Sequence, residues 1–121
     1  MKLHPGEFIV SFEIDKKFLT APFYHVKKTK NEEIDYPLLT LCTIKDGQKI
    51  KSALSGLTHY PFMSDEMDEI LNDTGCDREV RAKKAIATLS PIARSDLSGS
   101  VEYKLFVLEY TLLKMLEDLQ A

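Results

Sequence analysis

The chain has 121 residues, 44% hydrophobic and 29% charged, with a net charge of −3 and two cysteines. That length provides one core of ordinary domain size and too little material for a second, and the balance of residue types is that of a soluble globular protein. The slight acidity supplies no field to attract nucleic acid, and Lys27, Lys28 and Lys30 are too few to override it.

No apolar run approaches the roughly 20 residues of a spanning helix, and Met1 to Pro5 lack the apolar centre of a signal peptide. The expectation is a cytoplasmic protein with no membrane partner. Cys42 and Cys76 have neither metal-ligand spacing nor the density of a disulfide scaffold, which reads as two reduced thiols. His4, His25 and His59 lack the spacing of a zinc site, and no serine, histidine and acid fall into a nucleophile arrangement. The sequence therefore predicts neither a metal centre nor a catalytic residue.

In chain order, residues 7–15, EFIVSFEID, place Phe8, Val10, Phe12 and Ile14 on one face and Glu7, Ser11 and Glu13 on the other. This period of two predicts a half-buried strand, with Ile9 as a single apolar residue on its polar face. Residues 18–29 are rich in aromatic and β-branched types and predict a second strand. LLTLCTIK, 38–45, is apolar on both faces, as a central strand would be. Asp46-Gly47 supplies a hairpin turn, and KIKSALSGLT, 49–58, returns alongside.

The period then changes. Ser64 can cap a helix carrying Asp65 and Glu66 in its first turn and Met67, Ile70 and Leu71 on one side, with Thr74-Gly75 as its end. Asp77 can cap a second helix over 78–89 that buries Val80, Ala82, Ala85, Ile86 and Leu89, and Pro91 stops it. Val101, Leu105, Leu108, Leu112, Met115 and Leu119 form the stripe of a last helix begun at Ser98 or Ser100, with Phe106, Leu113 and Leu116 adding to the buried set. Four strands followed by three helices predict an α+β fold, a small and mainly antiparallel sheet with helices on one face. The other face is left open.

Taken in order, PGEFIVSFEI, FYHVKK, DYPLLTLCTIKDGQKIKSALSG and PIARSDLSGSVEYKLFVLEYTLLKML resemble the C-terminal domain of the FAD-binding, or medium, subunit of molybdenum hydroxylases. That is the family of the xanthine and carbon monoxide dehydrogenases. The resemblance runs from Leu3 to about Leu116. Its most specific pieces are Asp35-Tyr36-Pro37-Leu38, the Asp46-Gly47 hairpin with the following Ala53-Leu54-Ser55-Gly56, and DLSGSVEY, 96–103.

The resemblance implies a single domain, 1–121, that packs against an N-terminal region holding most of the FAD, in an assembly with molybdenum and iron–sulfur subunits. Residues 21–28 would face the flavin. Tyr24 matches an aromatic position near the isoalloxazine, His25 a position commonly occupied by lysine, and Ile9 an apolar cofactor contact. Histidine in place of lysine keeps a hydrogen-bond donor but makes its charge conditional near neutral pH. The residues themselves leave other roles open: Tyr24 as a sheet aromatic with a wet hydroxyl, Lys27, Lys28 and Lys30 as a solvated hairpin or subunit contact, and 95–102 as a helix cap.

An FAD pyrophosphate needs converging backbone donors, and the five glycines form no clustered phosphate loop. The FAD-phosphate-binding region is thus absent from these residues, and the chain by itself is expected to catalyse nothing. The competing expectation, from a different functional class, is a stand-alone protein-interaction module that keeps the scaffold and binds no flavin.

Overall fold

A computed structural model describes residues 3–29 and 36–121. Four antiparallel strands lie in the order β1-β2-β3-β4: β1 Phe23–Thr29, β2 Pro37–Asp46, β3 Lys49–Ser55 and β4 Phe62–Met63. Three helices follow, α1 Asp65–Leu71, α2 Arg78–Leu89 and α3 Val101–Asp118, giving an α+β fold. Lys30 and Asp35, singled out in the sequence, lie outside the described residues.

The expected β2–β3 hairpin forms, with its two-residue turn at Gly47-Gln48, one residue later than the expected Asp46-Gly47. Asp46 pairs with Lys49, and Gly47 adopts φ 63°, the positive angle that a tight two-residue turn needs at its first position. Leu39, Leu41 and Thr43 of β2 and Ile50, Ser52 and Leu54 of β3 are buried, with Thr43 Oγ1 and Ser52 Oγ satisfying each other at 2.9 Å. Against this face stand Met67 and Leu71 of α1, Ala82, Ala85 and Leu89 of α2, and Leu108, Leu112, Met115 and Leu116 of α3.

Strand β4 has only two residues, so α1 shields the rest of the β3 edge. The Asn72 side chain accepts from Ile50 N–H at 2.8 Å and donates to Ile50 C=O at 2.9 Å, and Asp68 Oδ1 accepts from Ser52 N–H at 3.0 Å. Side chains thereby replace a neighbouring strand and blunt an edge that would otherwise invite pairing. Burial pushes the Asp68 carboxyl above its ordinary pKa, partly offset by the Ser52 N–H, and its Oδ2 has no partner among the described residues.

Several expectations are corrected. Residues 7–15 are not a strand: they run outside the sheet, because period-two patterning makes a strand only where a neighbouring edge accepts its hydrogen bonds. Phe8, Val10, Phe12 and Ile14 are 71–84% exposed. The strand expected over 18–29 begins at Phe23, since Asp15 accepts from Lys17 N–H and starts a 3-10 turn, Lys16–Leu19. The fourth strand is instead the short β4.

Ser64 caps α1 as expected, accepting from Met67 N–H, but the helix ends at Leu71 with Asn72 as its cap, short of Thr74-Gly75. Asp77 precedes α2 without a side-chain capping bond. In α2, Val80 is exposed and Arg81 is buried, its guanidinium donating to Leu71 C=O at 2.7 Å and Ala121 C=O at 3.0 Å. In α3, Phe106 is exposed, while Lys104 and Thr111 share the buried stripe.

Candidate functional site

Three of the pieces that carry the resemblance meet at Leu38 of β2, through Leu38 itself, Gly56 and Gly99, rather than on the open face. Gly56, which follows β3, adopts φ 86°, and a Cβ there would stand 2.6 Å from Leu38 O and 2.9 Å from Leu39 Cα. A Cβ on Gly99 would meet Leu38 Cδ1 at 2.7 Å. Gly56 is thus required by the close approach of backbone and by its positive φ, whereas Gly99 faces the end of a leucine side chain.

Lys104 locks this junction. Fully buried, its Nζ donates to Gly56 C=O at 2.7 Å and to Asp96 Oδ2 at 2.6 Å. Asp96 also turns the preceding loop, its Oδ1 accepting from Ser98 N–H at 2.8 Å and Gly99 N–H at 3.3 Å. Desolvation opposes the charged Asp96 carboxyl, but Lys104 and the two N–H donors outweigh it and hold its pKa below the ordinary value. Ser100 then caps α3 by accepting from Tyr103 N–H at 3.2 Å. Residues 95–102 are a turn and a cap. Helical phase was the sequence signal for Lys104: it lies three residues after Val101 and four before Leu108 on the buried stripe.

The three candidate flavin contacts occupy different surroundings. Ile9 lies in the exposed segment before the sheet. Tyr24 and His25 are consecutive in β1, so they point to opposite faces. Tyr24 packs against the core on the helix side, where burial raises its phenol pKa; Asp118 adds to that shift and Lys114 opposes it. His25 is exposed on the open face. The structure therefore does not gather Ile9, Tyr24 and His25 into one pocket. Four surface cavities of 310–450 Å³ are lined by other residues.

The open face nonetheless makes a coherent surface. Across the strands, His25 pairs with Cys42, Cys42 with Ala53 and Ala53 with Met63, while Phe23 pairs with Ile44 and Ile44 with Lys51. These two rows combine exposed Phe23 and Met63 with one imidazole and one ammonium. A third row on this face, Lys27, Thr40 and Ser55, is polar, so the surface mixes apolar and polar groups. Among the described residues no group of three or more histidine, cysteine, aspartate or glutamate side chains is placed to hold a metal, and no helix is long and apolar enough to cross a membrane.

No protein-family model and no curated protein matches the sequence. Solved structures do match in fold. A Cu,Mo-CO dehydrogenase in its cyanide-inactivated form superposes with a TM-score of 0.64 at 21% identity, over 81% of this chain and 36% of that one. The reconstituted CO dehydrogenase from Oligotropha carboxidovorans gives 0.62 at 21% identity, over 81% and 37%. Quinoline 2-oxidoreductase from Pseudomonas putida 86 gives 0.63 at 17% identity, over 84% and 38%. The chain spans little more than a third of the length of these chains, and what it shares with them at such identities is the fold of that third.

Proposed function

We propose that this chain serves as the domain that closes over the flavin in the FAD subunit of a molybdenum hydroxylase. The observation that carries this reading is the fold shared with CO dehydrogenase and quinoline 2-oxidoreductase over more than four-fifths of the chain. The order and spacing of the sequence pieces quoted above support it. In such an assembly, FAD held mainly by an N-terminal region receives electrons from iron–sulfur clusters and passes them to an acceptor. This domain would shape one side of the flavin, and the redox chemistry belongs to the cofactor.

The residues available for that role are Tyr24, His25 and Ile9. One aromatic contact contributes on the order of 0.5–1.5 kcal/mol beyond its area, far below what retention of a cofactor requires. Titration of FAD into the purified chain is accordingly expected to give no tight quenching of flavin fluorescence, and submicromolar binding would sink the lid reading. In the assembled flavoprotein, Tyr24→Ala is expected to slow flavin reoxidation or loosen FAD by about two- to tenfold. Stopped-flow reoxidation and cofactor retention both unchanged would remove Tyr24 from the site.

A second reading, the stand-alone interaction module, is favoured by exposed Phe8, Ile9, Val10, Phe12 and Ile14 and by Phe23 and Met63 on the open face. The FAD titration does not separate the two. Activity restored by adding the chain to a flavin-binding polypeptide that lacks this domain does.

A further inference from the structure

We propose that the Asp68 carboxyl is a proton-operated latch between α1 and the edge of β3: as a neutral acid it holds the helix against the strand, and its ionisation loosens that hold. The latch needs nothing outside the chain and is independent of any flavin. It follows from how α1 covers an edge that β4 leaves open, since β4 pairs only with Ala53 and Leu54 of β3. Two side chains one turn apart take the place of a longer strand, Asn72 at Ile50 and Asp68 at Ser52.

These two side chains differ in one respect. The Asn72 amide offers both kinds of group, accepting from Ile50 N–H and donating to Ile50 C=O and to Asp68 C=O. A carboxylate offers only acceptors. Asp68 Oδ1 is used by Ser52 N–H, while Oδ2 has no hydrogen-bond partner among the described residues, and the residue is only 7% exposed. Burying a carboxylate with one oxygen unpaired is far more costly than burying the neutral acid.

The surroundings do not cancel that cost. Asp65 and Glu69 of α1 and Lys49 and Lys51 of β3 line the same cavity of about 310 Å³ as Asp68, two charges of each sign, and all four are exposed to water. Phe62 and Met63 of β4 carry no charge. Among the residues that α2 buries only Arg81 is charged, and it is directed to Leu71 C=O and Ala121 C=O. Burial is the largest influence on the Asp68 carboxyl and raises its pKa; Asp65 adds to the rise, while Ser52 and Lys51 offset part of it.

The folded chain therefore keeps this proton over a range in which the unfolded chain has lost it. The stabilisation is complete below the ordinary carboxylate value of about 3.9, falls as pH rises toward the folded pKa, and changes no further above it. An ionised Asp68 regains water only if α1 lifts from β3, so the loss is felt at this edge. Lifting leaves the backbone groups of Ile50 and Ser52 unpaired and open to another strand.

Asp68→Asn keeps an acceptor for Ser52 N–H and cannot ionise. In urea titrations from about pH 4 to about pH 8, the folding equilibrium constant of the parent relative to Asp68→Asn is expected to fall by up to about tenfold per pH unit and then to level off. A ratio that stays constant over that range overturns the latch. The parent chain gives a second reading that needs no variant at position 68. The NMR signal of the Asp68 carboxyl is expected to titrate with a midpoint above about 3.9, moving up in Lys51→Met and down in Asp65→Asn, two exposed positions outside the core. A midpoint at or below the ordinary value, or one that neither substitution moves, overturns the proposal. Amide exchange of Ile50 and Ser52, corrected for its intrinsic pH dependence, is expected to accelerate over the same range relative to buried Leu41 of β2. Exchange of all three in step would mean that α1 does not lift, and overturns it too.

Discussion

Gly56→Ala is expected to lower stability by about 2–4 kcal/mol, through forced overpacking and a positive φ that an L side chain resists. The new Cβ would lie 2.6 Å from Leu38 O and 2.9 Å from Leu39 Cα. Both are backbone atoms of β2: Leu39 pairs with Lys28 of β1, and Leu38 lies at the bulge just before it, so relieving the contact requires β2 to shift against β1. A loss of that size moves the thermal midpoint down by about 10 °C or more in a domain of this length. Gly47→Ala is the control: φ is 63° there, but nothing lies within 4 Å of the added carbon. It should cost about 1–2 kcal/mol, the conformational penalty alone. If denaturant midpoints of the two variants coincide, close packing against Leu38 does not govern Gly56.

Lys104→Ala is expected to cost about 3–4 kcal/mol, from loss of a buried aliphatic stem and of the donor to Gly56 C=O. Lys104→Met keeps most of the stem and removes only the ammonium. Its expected cost is about 1–3 kcal/mol, the range for leaving a buried acceptor unpaired. Asp96 adds little to that figure, because its side chain is 51% exposed and can recover water when its partner is removed. A urea titration that finds Lys104→Met as stable as the parent would mean that the stem, and not the two hydrogen bonds of Nζ, holds the junction.

These two positions alter the meaning of the sequence pieces that suggested a flavoprotein. Leu38, Gly56, Asp96, Gly99 and Lys104 form a single junction that fastens the start of α3 and its preceding loop to β2 and β3. Residues that keep one fold intact resemble one another wherever that fold is used. They speak to architecture, and the flavin has to be argued from β1 and the open face.

Much of the architecture was legible because it is encoded locally. The β2–β3 hairpin, the Ser64 and Ser100 caps, the limits of α2 and the stripe from Leu108 to Leu119 depend on neighbours within about four residues, through turn angles, capping bonds and helical phase. Each appears in the structure. The candidate site was far less legible. Tyr24 and His25 are adjacent in sequence, and the alternation of β1 alone requires them to part, but only the helix layer determines that Tyr24 is the covered one.

The sequence by itself determined the α+β composition, the β2–β3 hairpin and the helices, because periodicity and capping act over a few residues. Tertiary structure alone decided that 7–15 finds no neighbouring strand, that two-residue β4 takes the sheet's far edge, and that Lys104 is buried beneath Gly56. A strand pattern states that one face is apolar without naming the edge that will pair with it, and a lysine is buried only where distant backbone supplies its acceptor. Both are contacts between residues far apart in the chain, which no local pattern contains.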